Sequence, residues 1–415
     1  MFNKINPFIF MKTGIKNNTF KAFRNRNYAL FFAGQSVSQI GTWMQRTAVS
    51  WVIYSLTHSP FMLGLAVFAQ QFPSFLLSLF GGIVSDRYSR YKILLVTQTA
   101  SMIQAILLAA LILANHYVIW EILTLSIILG IINAFDVPAR QPMIHEMVND
   151  KEDIANALAL NSVMVNIARL VGPALSGIVL QNWGAGICFS LNALSFVAVL
   201  SSLLLMKFPK FNPPAVKKNV TAELTEGFQY LKQAPVISIL ILMLMLLSLL
   251  VMPYDTVIPV FAKVVFKGDA ATYGYISSFL GLGSIIASLI LASSKKGSNL
   301  KIILLIGCIA LGIGLILFSY TSYFHIAMLF AVLTGFGTLM PMTCCITIIQ
   351  MEASANMRGR VMSYVAMSYF GMMPLGSLII GSISQKIGAQ LTMFCQGIIA
   401  LLIVAAFSKY LTRKK

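Results

Sequence analysis

Read as apolar and polar positions, the chain repeats one unit: a long apolar run, then a short polar break. The unit recurs twelve times, with runs at 28–56, 62–84, 92–114, 118–140, 154–182, 186–207, 236–262, 271–293, 301–320, 324–350, 358–384 and 388–409. Roughly 20 apolar residues in a helix cross a hydrocarbon layer. In lipid only a helix or a closed barrel satisfies its own backbone. The pattern therefore predicts an all-α polytopic membrane protein with twelve transmembrane helices.

The breaks are unequal, and the longest, at 208–235, carries prolines, lysines and room for a short amphipathic helix. It divides the chain into a basic tail (1–27), a six-helix bundle (28–207), this linker, a second six-helix bundle (236–410) and a basic end (411–415). The halves echo each other. Ser162 and Pro173 in the fifth run match Ser363 and Pro374 in the eleventh, both displaced by 201. "SDRYSRYKILL" after the second run has a faded counterpart, "SSKKGSNLKIILL", after the eighth. Parallel six-helix repeats predict pseudo-twofold symmetry and a site where the halves meet.

Composition agrees. The 415 residues are 58% hydrophobic and 10% charged, with a mean hydropathy of +0.82, whereas soluble domains carry about 25% charged residues. The net charge of +18 would suggest nucleic acid in a soluble protein, but no aromatic-basic module accompanies it. The charge is instead topological. With the N-terminus inside, 25 of the 30 Lys and Arg fall on the inner side, and only Lys263, Lys267 and Lys386 on the outer. Both termini are therefore expected in the cytoplasm. The five cysteines all sit in apolar runs and read as small hydrophobes.

Ionisable groups inside the runs are costly, about 2.5–3.5 kcal/mol each on insertion scales, which makes them candidates for function. In the first run Gln35, Gln39, Thr42, Arg46 and Ser50 fall on one helical face, bordered by Trp43. Arg46 would attract an anionic group, bias a nearby carboxylate, or snorkel to headgroups. In the fourth run Asp136 and Arg140 are one turn apart and can pair. Arg169 lies midway along the fifth run and needs an acid or a carbonyl, for function or for packing. Asp255 stands between Pro253 and Pro259. A carboxylate there would couple proton flow to transport, or simply meet water or Lys263. Thr334, Thr338, Met342 and Thr343 in the tenth run offer hydroxyl and soft contacts, or ordinary core packing. No phosphate loop, zincin motif or nucleophile elbow occurs, and no metal spacing among the histidines. An enzyme is not expected, nor a metal.

The loop at 81–92, "GGIVSDRYSRYK", resembles the hallmark that follows the second helix in the major facilitator superfamily. Gly82, Asp86, Arg87 and Arg90 match it, while Ser89 replaces the usual glycine and Tyr91 interrupts the basic pair. "SQIGTWMQRTAVSWVIYSLTHSPFMLG", "NAFDVPARQPMIHEMV", "NALALNSVMVNIARLVGPALSGIVL" and "RGRVMSY" resemble the subgroup of bacterial enterobactin exporters and related secretion and macrolide-efflux carriers. Gly172, Pro173 and Gly177 resemble the Gly-Pro motif of proton-coupled exporters, though small residues also serve helix packing.

The resemblance implies two bundles rocking about a cavity lined by helices one, four, seven and ten. It implies a monomeric secondary transporter in a bacterial cytoplasmic membrane, exporting a small amphipathic molecule such as a siderophore or drug. Its energy would come from a proton gradient, with no bound cofactor. It also implies a latch at the inner face, made while the carrier faces out and broken when it turns: Gly82 packed close, Asp86 on the start of helix eleven near "ANMRGRVMS", and Arg90 bridged to Asp136. A lipid transporter of the same fold, an importer and a non-transporting sensor or scaffold remain alternatives.

Overall fold

The computed structural model describes residues 20–148, 150–208, 220–293 and 299–412. Most of the basic N-terminal tail, much of the linker, part of the faded loop repeat (294–298) and residues 413–415 lie outside the described residues. The helices are α1 (Arg26–Thr57), α2 (Pro60–Arg87), α3 (Arg90–Leu113), α4 (Ile119–Met147), α5 (Lys151–Leu205) and α6 (Val220–Gln233). After these come α7 (Pro235–Val265), α8 (Ala270–Ser293), α9 (Leu300–Tyr320), α10 (Phe324–Glu352), α11 (Arg358–Ile387) and α12 (Ala389–Thr412).

Ten of these helices are long and apolar enough to cross a membrane. One of the ten, α5, crosses twice. It reverses at Gly184, whose φ of 82° suits a residue without Cβ. The expected fifth and sixth runs are thus joined by a single residue rather than a loop. α1 is long enough at 32 residues, but its polar stripe lowers its hydropathy. Together these make twelve traverses among the described residues. Large apolar side chains such as Leu79, Phe80, Leu107, Leu204, Leu329 and Leu402 lie exposed along them, as a lipid-facing belt requires.

The first half packs α1 on α5, α2 on α4, and α3 on α4 and α5; the second packs α8 and α9 on α10, and α9 on α12. The halves meet mainly through two crossings, α2 on α11 and α5 on α8. An even number of traverses separates the start of α1 from the end of α12, so these two helix ends and α6 share one face, called the linker face below. The opposite face is the far face.

Each crossing is glycine on glycine near the far face. A Cβ added to Gly381 would stand 3.1 Å from the Cα of Gly64, and one added to Gly274 would stand 2.9 Å from the Cα of Gly177. Such spacing lets two backbones touch. Ser59 donates to Gln385 across the same face at 2.8 Å. At the linker face a Cβ on Gly82 or on Gly359 would meet no atom of the described residues within 4 Å. The glycine-on-glycine contacts between the halves thus lie toward the far face.

Two helices break regular pitch. α7 tightens to a 3₁₀ turn over Met252–Val257 and widens to a π turn over Phe261–Val265. Pro253 and Pro259 cause this, because each removes an N–H and crowds the carbonyl four residues before it. α11 has a π turn at Met367–Gly371. In the second half, α6 lies against α11, where Arg360 pairs with Glu226 and Ser354 donates its N–H to Tyr230 at 3.2 Å.

Candidate functional site

The site grows from one close approach. Gly172 of α5 has no Cβ, and one placed there would lie 2.5 Å from the Cβ of Trp43 on α1. The two helices therefore meet at the indole. Arg169 is three residues back along α5, about one turn, so its guanidinium reaches the same ring. Its central carbon is 5.8 Å from the Trp43 ring centroid. Arg46, three residues after Trp43, reaches it from α1, with its carbon at 5.2 Å. One indole ring thus steadies two cations, each over it within cation–π range.

Asp255 faces them from the other half. The irregular pitch of α7 presents it to Arg46 at 3.9 Å, with the side chains 31% and 42% exposed. Those exposures admit water, so the pair itself contributes little to stability, about 1 kcal/mol or less. Its interest lies in joining the halves. Around it stand Tyr254, Tyr273 and Tyr369. Tyr254 is buried and lies 2.9 Å from Thr338 of α10. The Thr338 hydroxyl already donates to the carbonyl of Thr334, so Tyr254 is the donor. Tyr273 is buried and stacks on Trp51, ring to ring at 6.2 Å. Tyr369 of α11 lies within electrostatic reach of Arg46, Arg169 and Asp255.

Two narrow hollows open here. One is lined by Arg46, Ser50, Leu63, Asp255, Tyr273 and Met373, the other by Trp43, Arg46, Arg169, Tyr254, Asp255 and Tyr273 among others. Four of the five residues expected to contact substrate or protons therefore converge: Trp43, Arg46, Arg169 and Asp255. The fifth, Gln39, lies seven residues before Arg46 on α1, half-buried and outside both hollows. Of helices one, four, seven and ten, expected to line the central cavity, the first and third line these hollows. α1 and α7 contribute, but α2, α5, α8 and α11 supply the rest, and α10 touches the site through Thr338 behind Tyr254. The reason is level: these hollows lie toward the far face, where the crossing helices come together.

The expected latch is not made in this state. Arg90 does not bridge to Asp136. It pairs with Glu146 at 2.5 Å and lies 3.8 Å from Asp86 on its own loop. Asp136 is instead buried, paired with Arg140 and accepting from Thr97 at 2.8 Å and Gln98 at 2.7 Å. Asp86 is half-exposed, and its ion-pair partner among the described residues is Arg90, not a group on α11. Gly82 faces open space. The close-packing glycine is Gly81, buried where a Cβ would strike the Ala134 carbonyl of α4. One residue of helix is 100° of rotation, which is enough to exchange the two roles. Arg87 closes the last turn of α2.

Sequence reasoning missed the three tyrosines and Glu146. Tyr254 adjoins Asp255 and could have been flagged on that ground. Tyr273 and Tyr369 carry no local signal. It also missed a buried amide chain: Asn192 donates to Gln45 at 2.7 Å, and Gln45 to Gln104 at 3.0 Å. This chain ties α1, α3 and the second arm of α5, and lies off the polar stripe that faces the site.

The comparisons with known proteins agree with this architecture. The family model described as transmembrane secretion effector matches residues 17–414. The chain is 26% identical to the staphyloferrin A transporter of Staphylococcus aureus, over 91% of this chain and 94% of that protein. It is 26% identical to the enterobactin exporter EntS of Salmonella choleraesuis, over 83% and 81%. It is 20% identical to the multidrug efflux pump Tap of Mycolicibacterium fortuitum, over 87% and 90%. Among solved structures, the nucleoside transporter NupG superposes with a TM-score of 0.72 at 15% identity, covering 96% of this chain and all of that one. A bacterial homologue of the lysosomal transporter Spinster gives 0.68 at 14%, covering 96% and 98%. These structures show the fold. The match along nearly the whole chain, on twelve membrane traverses that meet at a charged junction, places this protein in the transmembrane secretion effector family of major facilitator superfamily transporters.

Proposed function

We propose that the protein is a proton-coupled exporter of a small amphipathic organic molecule of the siderophore or drug class, working by alternating access. The observation that carries this reading is the Arg46–Asp255 pair. It joins the two halves at the far-face end of their junction, where the glycine contacts also lie, and we read the linker face as the parted one. Protonation of Asp255 removes its charge and frees Arg46, which weakens the far-face closure and lets the halves rock. Deprotonation restores the pair. The linker face is cytoplasmic, because it carries most of the Lys and Arg. Substrate then enters from the cytoplasm in the state described above. The names of the relatives support the substrate class and the outward direction.

The test is uptake into everted membrane vesicles energised by respiration, in which export appears as accumulation. The compounds supplied are those that untargeted metabolite comparison finds outside cells carrying the gene and not outside cells lacking it. Accumulation should collapse with a protonophore and with Asp255→Asn. Accumulation that persists in both sinks proton coupling through this residue. No difference in extracellular metabolites, with the protein present in the membrane, sinks export.

A further inference from the structure

The charges at the junction do not balance. Two guanidiniums line the second hollow, and Asp255 is the one carboxylate that faces them among the described residues. Asp255 approaches Arg46; no carboxylate among the described residues approaches Arg169 within ion-pair distance. A cation half-buried in a membrane without a counter-charge is costly, and such groups mark ligand paths. Arg169 is also placed with care. It is held on an indole, which steadies a guanidinium through its face and leaves the N–H edge free to donate. Arg46 rests on the same ring, so the two forks flank one volume. The buried hydroxyl of Tyr273 adjoins that volume as a further donor. Planar forks suit carboxylates, which they grip with two parallel hydrogen bonds.

We infer that this site takes a small organic anion with at least two acidic oxygen groups. One group binds Arg169, and the other displaces Asp255 from Arg46. Asp255 is then the resident competitor of the substrate: it neutralises Arg46 when the site is empty and gives way when the anion arrives. The inference rests on reading the junction as the substrate site, and it narrows the cargo to polyacidic compounds.

The experiment is equilibrium binding to the full chain in lipid nanodiscs, by calorimetry, with citrate as the anionic probe and tetraphenylphosphonium as the cationic one. Citrate should bind wild type. Arg169→Gln and Arg46→Gln should each weaken it about tenfold or more, the scale of a lost charged fork. Asp255→Asn should tighten citrate binding several-fold, because the competitor is gone; a merely structural role would weaken it. Arg169→Lys keeps the charge but not the fork and should fall between, so the inference stays testable if Arg169→Gln does not fold. No citrate binding up to about 10 mM, the range of a very weak complex, overturns it. Looser citrate binding in Asp255→Asn, or tetraphenylphosphonium binding that depends on Asp255, also overturns it. Binding needs no gradient. A protein that binds citrate as described but fails in energised vesicles refutes proton-coupled export and leaves the anion site standing.

Discussion

Gly274→Ala should pry open the far face. A Cβ there would lie 2.5 Å from the carbonyl oxygen of Pro173, 2.9 Å from the Cα of Gly177 and 3.1 Å from its nitrogen. All three atoms are backbone, so no side-chain rotation relieves the crowding. Reaching ordinary contact at about 3.4 Å requires the α5–α8 crossing to widen by about 0.9 Å. Overpacking of this kind costs about 1–3 kcal/mol. Only the far-closed state bears that cost, so the equilibrium should move toward the far-open state by about 5- to 150-fold. The assay is oxidative cross-linking of Ser59→Cys with Gln385→Cys, side chains that touch across the far face in this state. Four of the five native cysteines are buried and will not compete. Gly274→Ala should slow the cross-link. Gly82→Ala is the counter-test. It meets nothing within 4 Å here, and if the linker face closes on that glycine it should speed the cross-link. Unchanged rates for both variants, or shifts of the same sign, would refute the view that the two crossings and the parted loop sit on opposite sides of one balance.

Three further substitutions probe other parts of the argument. Asp136→Asn removes the charge of a buried carboxylate that pairs with Arg140, itself 21% exposed, and accepts from Thr97 and Gln98; it should cost about 1.5–3 kcal/mol, read as a lower unfolding temperature of the purified protein. Glu146→Gln removes the Arg90 partner, but both side chains are partly exposed at 23% and 36%. Its cost should stay below about 1 kcal/mol, so an unfolding temperature as low as that of Asp136→Asn would contradict the ranking. Tyr230→Phe removes the acceptor for the Ser354 N–H that helps to dock α6. It should loosen the linker by about 1 kcal/mol, visible as faster tryptic cleavage there with unchanged unfolding of the rest.

Much of the architecture could be read from the chain. The twelve traverses follow from run lengths, because a lipid environment leaves so few ways to satisfy a backbone. The charged junction was legible for a related reason. Arg46, Arg169 and Asp255 stand out in apolar surroundings that ordinarily exclude charge. The partners these loop residues take in this state were not legible. Arg90 could reach Asp136 or Glu146 by any argument from spacing, and only the packing of α3 on α4 gives it Glu146. Gly81 and Gly82 differ by one position, and periodicity alone did not say which faces α4.

The amino-acid order settles what must leave water and what resists leaving it: twelve apolar segments, a basic excess on one side, and a few charges that lipid will not tolerate alone. These are local properties, carried by each residue wherever the chain goes. Tertiary structure decides partnership. Gly172 does not announce Trp43, yet their contact is what brings Arg169 onto the ring that already holds Arg46. Asp255 meets Arg46 from the other half of the chain, across the crossings of α2 with α11 and α5 with α8. Which face is open is likewise a matter of how two bundles lean on four glycines, and small shifts between packed backbones leave no mark in the order of residues.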